Sequence, residues 1–138
     1  MHPLHVLRSR LVNLHKLPEK QNDKGELQLV LAIGVVREFL KRTAAIEPAE
    51  RVATGRSPIQ RYVNDIVMMA RGDAGKKVAK RAGIYVADAI DPSLIPAGPF
   101  WEKAWPRIKP LMSSEWSGKY SAPGEKAVEP APSSGSRG

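Results

Sequence analysis

Apolar residues go most of the way round a helix in one part of this chain. Between Glu26 and Ile46, the residues Leu27, Leu29, Val30, Leu31, Ala32, Ile33, Val35, Val36, Phe39 and Leu40 leave charged or amide side chains only at Gln28, Arg37, Glu38, Lys41 and Arg42. A stripe would mark a surface helix, whereas near-complete coverage predicts a central one. Asp23 with Glu26 three residues later forms a capping-box-like start, and Arg37, Lys41 and Arg42 precede the stop at Glu47-Pro48. One helix is therefore predicted over residues 24–45. Gly34 in its middle costs about 1 kcal/mol relative to alanine, which predicts a close approach by another helix there.

Ahead of it, Leu4, Leu7, Leu11 and Leu14 make the stripe of an amphipathic helix within residues 1–17, with Pro3 tolerated in the first turn. This basic, leucine-rich pattern also suits a transit peptide or a membrane-surface helix, but a core-packing helix shows the same pattern, and the long apolar region of a secretory signal is lacking. Leu17-Pro18 ends the helix, and the short polar connection that follows folds it back antiparallel along the second. Residues 48–52 can form a short helical turn. Ser57-Pro58-Ile59-Gln60 then reads as an N-cap, a proline at the first helical position and a glutamine at the third. Ile59, Tyr62, Val63, Ile66, Val67 and Ala70 are the expected buried stripe of this third helix, closed by Arg71-Gly72. Asp73 is expected to cap a fourth helix over residues 74–82, with Gly83 ending it in the left-handed conformation.

Residues 84–90 predict a further short helical segment. Prolines at 92, 96, 99, 106 and 110 then allow one or two helical turns, in which Trp101, Trp105, Ile108 and Met112 keep helical spacing. Residues 117–138 are rich in Ser, Gly, Pro and Ala and are expected to be a disordered tail, leaving residues 1–116 as one helical domain. The predicted fold class is all-α: a small four- to five-helix bundle around a central apolar helix, with a proline-rich irregular C-terminal wrap.

Composition narrows the partners. The chain carries 22 Lys and Arg against 14 Asp and Glu, a formal charge of +8, so an anionic partner is favoured: nucleic acid through non-specific phosphate contacts, or an acidic protein surface. The absence of cysteine excludes disulfides, thiolate zinc sites and thiol nucleophiles, and fits a cytoplasmic protein of bacterial or mobile-element type. The longest apolar run, residues 29–36, stops at Arg37, short of the roughly 18 residues of a membrane span.

Lys76, Lys77, Lys80 and Arg81 fall within about 140° of one helix face, opposite Ala74, Val78 and Ala82, with Arg71 just upstream. Such a cluster attracts phosphates by counterion release without reading base sequence; the plain alternative is a solvated face. Residues 74–90 do not make a convincing helix-turn-helix, because the second segment carries Asp88 and Asp91 and lacks the Arg, Asn or Gln of base readout. Residues 72–77 fail as a phosphate loop, since Ala70 stands where a glycine is needed and Lys77 where a Ser or Thr is needed.

His2, His5 and His15 read as surface histidines without a neighbouring carboxylate, so no metal site is predicted. Asp65, Asp88, Asp91 and Glu102 stand singly, so no catalytic residues and no cofactor are predicted. Trp101 and Trp105, interleaved with Lys103, Arg107 and Lys109, suit base stacking, a membrane surface or a tryptophan-anchored protein interface, with the open side of a small bundle as the plain alternative; Trp116, beyond the last apolar stripe, is harder to place as core. The functional expectation is a small basic accessory protein that binds nucleic acid without catalysis. The alternative is a protein-binding adaptor or inhibitor that uses Trp101, Trp105, Arg107 and Trp116.

Overall fold

Pro3–Lys16 (α1) and Asp23–Ile46 (α2) form an antiparallel hairpin in the computed structural model, which describes residues 2–118. All of the predicted α1 stripe is buried, at Leu4, Leu7, Leu11 and Leu14. His2 is not the free surface histidine expected. Its Nδ1 accepts from the Leu4 amide at 3.1 Å as the N-cap of α1, and its ring lies 4.9 Å from Phe39 and 5.4 Å from Tyr62.

The cap of α2 is Asn22, whose Oδ1 accepts from the Gly25 amide at 2.9 Å, one residue before the Asp23 expected from the sequence. Gly25 is where the hairpin needs a glycine: a Cβ there would overlap the Lys20 carbonyl oxygen. At Gly34, by contrast, an added Cβ would meet nothing within 4 Å, so the predicted close helix approach does not occur among the described residues.

Nor is α2 central. Leu29, Ala32, Ile33, Val36 and Leu40 face α1 and the elements that follow, but Leu27, Val30, Leu31 and Val35 are 56%, 48%, 60% and 56% exposed. A helix is about 10–12 Å across and is buried all round only if neighbours surround it; the described residues cover one side.

Ala49–Ala53 (α3) leads to Pro58–Arg71 (α4), the helix that packs against most of the others. The Ser57 hydroxyl accepts from the Ile59 amide at 3.0 Å, as the start signal predicted. Ile59, Val63, Ile66, Val67, Met69 and Ala70 are buried, and each large apolar side chain so placed contributes about 1.5–3 kcal/mol. Asp73–Ala82 (α5) is capped by Gly72 and not by the Asp73 side chain, and it ends at Gly83 with φ 70°, the left-handed residue anticipated.

The segment after it is a single 3₁₀ turn, Val86–Ala89, with Val86, Ala87, Ala89 and Ile90 buried. Pro99–Ile108 (α6) is longer than the one or two turns expected, because Pro99 occupies the first position and Pro106 falls in the last turn with its ring exposed. Gly98 lets α6 start against α3, since a Cβ there would sit 2.6 Å from the Ala53 carbonyl oxygen.

The chain closes with Ser114–Ser117 (α7), so Ser117 belongs to the helical part and not to the tail; the rest of the predicted tail, beyond Gly118, lies outside the described residues. A polar clasp fastens α7. Both Nε and Nη2 of Arg37 donate to the Asp88 carbonyl, at 3.0 and 2.8 Å. The Asp88 carboxylate accepts from the Ser113 amide at 2.9 Å and the Ser113 hydroxyl at 2.7 Å, and that hydroxyl accepts in turn from the Trp116 amide. The described residues are all-helical, with seven α-helices and no strand, and no helix among them is long and apolar enough to cross a membrane.

Candidate nucleic-acid interface

The basic face of α5 is built by what lies behind it. Val78 is fully buried, and Gly75 packs so closely on the end of α4 that a Cβ there would overlap the Met69 carbonyl and strike the Ala70 backbone, so a glycine is what lets α5 turn off α4 at this point. With that side committed to α1 and α4, Lys76, Lys77 and Lys80 stand exposed, and Arg71 is exposed in the last turn of α4.

The predicted group of five then divides. Lys76 and Lys80 border a surface depression of about 270 Å³ with Tyr85, Pro110 and Leu111 on its far side. Lys77 lies 3.7 Å from Asp73, both side chains being well exposed, so the pair does little to neutralise the lysine. Arg81 turns to the other side, where its Nη2 donates to the Leu14 carbonyl at 2.9 Å. That oxygen is one of the last-turn carbonyls α1 cannot satisfy itself, so Arg81 also serves the fold.

A second basic concavity was not visible in the sequence. Arg51, Arg56 and Arg61 border a space of about 550 Å³ beside the start of α4, with Asn64 and Asp65 on its wall. Beside it lies a space of about 280 Å³ in the groove between α4 and α6, bordered by Lys103 and Arg107, with Gly55, Gln60 and Asn64 lining both. Gly55, at φ 78°, makes the tight turn. The Arg56 amide donates to the Arg51 carbonyl at 2.8 Å and the Arg51 guanidinium donates back to the Arg56 carbonyl at 3.2 Å. The spacing of five residues between these arginines matches no helix face, which is why periodicity could not group them; the turn does so.

Ion pairs among the described residues join Arg42 to Glu38 and Lys77 to Asp73, so neither engages these five cations. Asp65 is the one carboxylate on the walls of these two neighbouring spaces.

The tryptophans lie mostly inside. Trp101 is fully buried and Trp105 is 7% exposed, their rings 5.4 Å apart, so neither presents a face to a partner as the tryptophan-anchored reading requires. The prolines had suggested a loose wrap, but α6 is a regular helix that packs against α3 and α4 with both rings buried. Trp116 is half-buried: its Nε1 donates to the Ile90 carbonyl at 3.0 Å, and the Arg37 guanidinium stacks 4.1 Å from its ring centre. Arg107 remains exposed, in the groove with Lys103.

Comparison with known proteins gives no match among family models, curated proteins or solved structures. Any functional reading therefore rests on this geometry. No group of three or more His, Cys, Asp or Glu side chains among the described residues is placed to hold a metal ion.

Proposed function

We propose that this is a small intracellular accessory protein, a compact helical bundle that binds nucleic acid without catalysing a reaction. Phosphates are held by Lys76, Lys77, Lys80, Arg71 and the outward part of Arg81 at one end of α4, and by Arg51, Arg56, Arg61, Lys103 and Arg107 at the other. The observation that carries the reading is the pair of neighbouring concavities bordered by five cations outside any ion pair among the described residues, with Asp65 as the single carboxylate on their walls. Like charges gathered in a concave place repel one another unless a counter-anion is present, and a concave basic surface concentrates anions.

A polyanion fits better than a small anion. The two basic regions are separated by the 14 residues of α4, about 20 Å at 1.5 Å per residue. Arg61, Asn64, Met68 and Arg71 lie exposed along the same side of that helix and connect them. Each strand of duplex DNA advances about 3.4 Å per nucleotide along the axis, so roughly six base pairs cover the distance. Binding by phosphate contacts positions the protein without selecting a sequence.

Fluorescence anisotropy with a labelled 20-nucleotide strand and the matching duplex, titrated across salt, tests the proposal. Affinity should fall steeply with salt and be alike for unrelated sequences. Changing Lys76, Lys77 and Lys80 together to Gln should lower the salt slope by about 2 to 3, and changing Arg51, Arg56 and Arg61 by a similar amount. Absence of salt-dependent binding at low ionic strength would refute it.

A further inference from the structure

We infer that α2 is the interface of an antiparallel homodimer, the occupant of its apolar outer face being the same helix of a second copy. Leu27, Val30, Leu31 and Val35 stand about half exposed or more on one side of this helix, on the order of 300 Å² of apolar surface, the size of the largest apolar patches on monomers, which are often functional. Leu27, Val30, Leu31 and Gly34 have the i, i+3, i+4, i+7 spacing that forms the four corners of one hole in helix packing. Gly34 weakens the helix, and no other element among the described residues comes within 4 Å of the Cβ it lacks. A helix approaching from outside gives that glycine a use, because it lets a leucine of the second copy sink into the hole.

The charges select both the occupant and its direction. The apolar centre is flanked at one end by Asp23 and Lys24 and at the other by Glu38, Lys41 and Arg42, all exposed. With a two-fold axis at Leu31, an antiparallel pair sets Leu27 against Val35 of the second copy, Lys24 against Glu38, and Asp23 within a turn of Lys41 and Arg42. A parallel pair would set each charge against itself. An isologous interface must be self-complementary in this way. The face is below the standard size of a stable interface, so association is weak, in the micromolar range.

Sedimentation velocity of the full chain, from about 1 to about 500 µM, should show the mass rising toward twice 15.1 kDa. Leu31→Glu brings two carboxylates together at the axis and should weaken association at least about 100-fold, with the circular dichroism spectrum and melting curve of the monomer unchanged because Leu31 is exposed there. A wild-type protein that stays monomeric across the range, or a Leu31→Glu variant that dimerises as tightly, overturns the inference. The chain has no cysteine, so direction can be read by mixing Leu27→Cys and Val35→Cys proteins under mild oxidation. Mixed cross-links should form faster than either like pair; preference for like pairs overturns the antiparallel arrangement.

Discussion

Arg37 offers the sharpest test of how the C-terminal part is held. It comes from the longest helix and reaches 51 residues along the chain to the Asp88 carbonyl with two N–H groups, at 3.0 and 2.8 Å, while its guanidinium plane covers Trp116 at 4.1 Å. Hydrogen bonds that involve a charged group contribute about 1.5–3 kcal/mol each when buried, and a partly exposed cation over an indole about 0.5–1 kcal/mol. Arg37 is half-buried and the two bonds share one acceptor, so the sum is discounted to about 2–3 kcal/mol for Arg37→Ala.

Urea denaturation followed at 222 nm should show that loss, and thermal melting a drop of roughly 6–12 °C for a domain of this size. Arg37→Lys keeps the cation but not the two-pronged donor, and should recover about half of the lost stability. Trp116 emission should shift toward that of an exposed indole in Arg37→Ala, because its cover is removed. A stability change below about 0.5 kcal/mol, with unchanged emission, would refute the clasp.

Three other outcomes follow from particular contacts. Arg81→Gln should cost about 1–2 kcal/mol in a urea titration, since a charged donor to the Leu14 carbonyl is lost, whereas Gln at Lys76, Lys77 or Lys80 should change stability by less than about 0.5 kcal/mol; equal effects would mean Arg81 is not fastening α1. Gly25→Ala and Gly75→Ala should destabilise by about 1–3 kcal/mol because the added methyl meets backbone, whereas Gly34→Ala should stabilise the monomer by up to about 1 kcal/mol; a loss at Gly34 in dilute protein would contradict the open space seen there. Trp101→Ala should cost about 3–5 kcal/mol, and acrylamide should quench Trp116 more readily than Trp101 and Trp105; uniform quenching would contradict their burial.

What the sequence determined by itself is local. The leucine stripe of α1, the Ser57-Pro58 start and apolar stripe of α4, the left-handed stop at Gly83, and the shared outward direction of Lys76, Lys77 and Lys80 all follow from angles within one helix or from the chemistry of a single residue. These angles do not depend on what lies nearby. The tertiary structure alone decided the rest. Ten apolar residues on α2 look the same in sequence whether covered or not, and only the neighbours reveal that Leu27, Val30, Leu31 and Val35 face outward. Trp116 was hard to place as core because its anchors, Ile90 and Arg37, are 26 and 79 residues away along the chain. Arg51, Arg56 and Arg61 share no helix face, and they meet because Gly55 can adopt a positive φ; Lys103 and Arg107 come beside them only because α6 packs along α4. Periodicity reports the direction in which a side chain leaves its own helix; what it meets there depends on contacts between residues far apart in the chain.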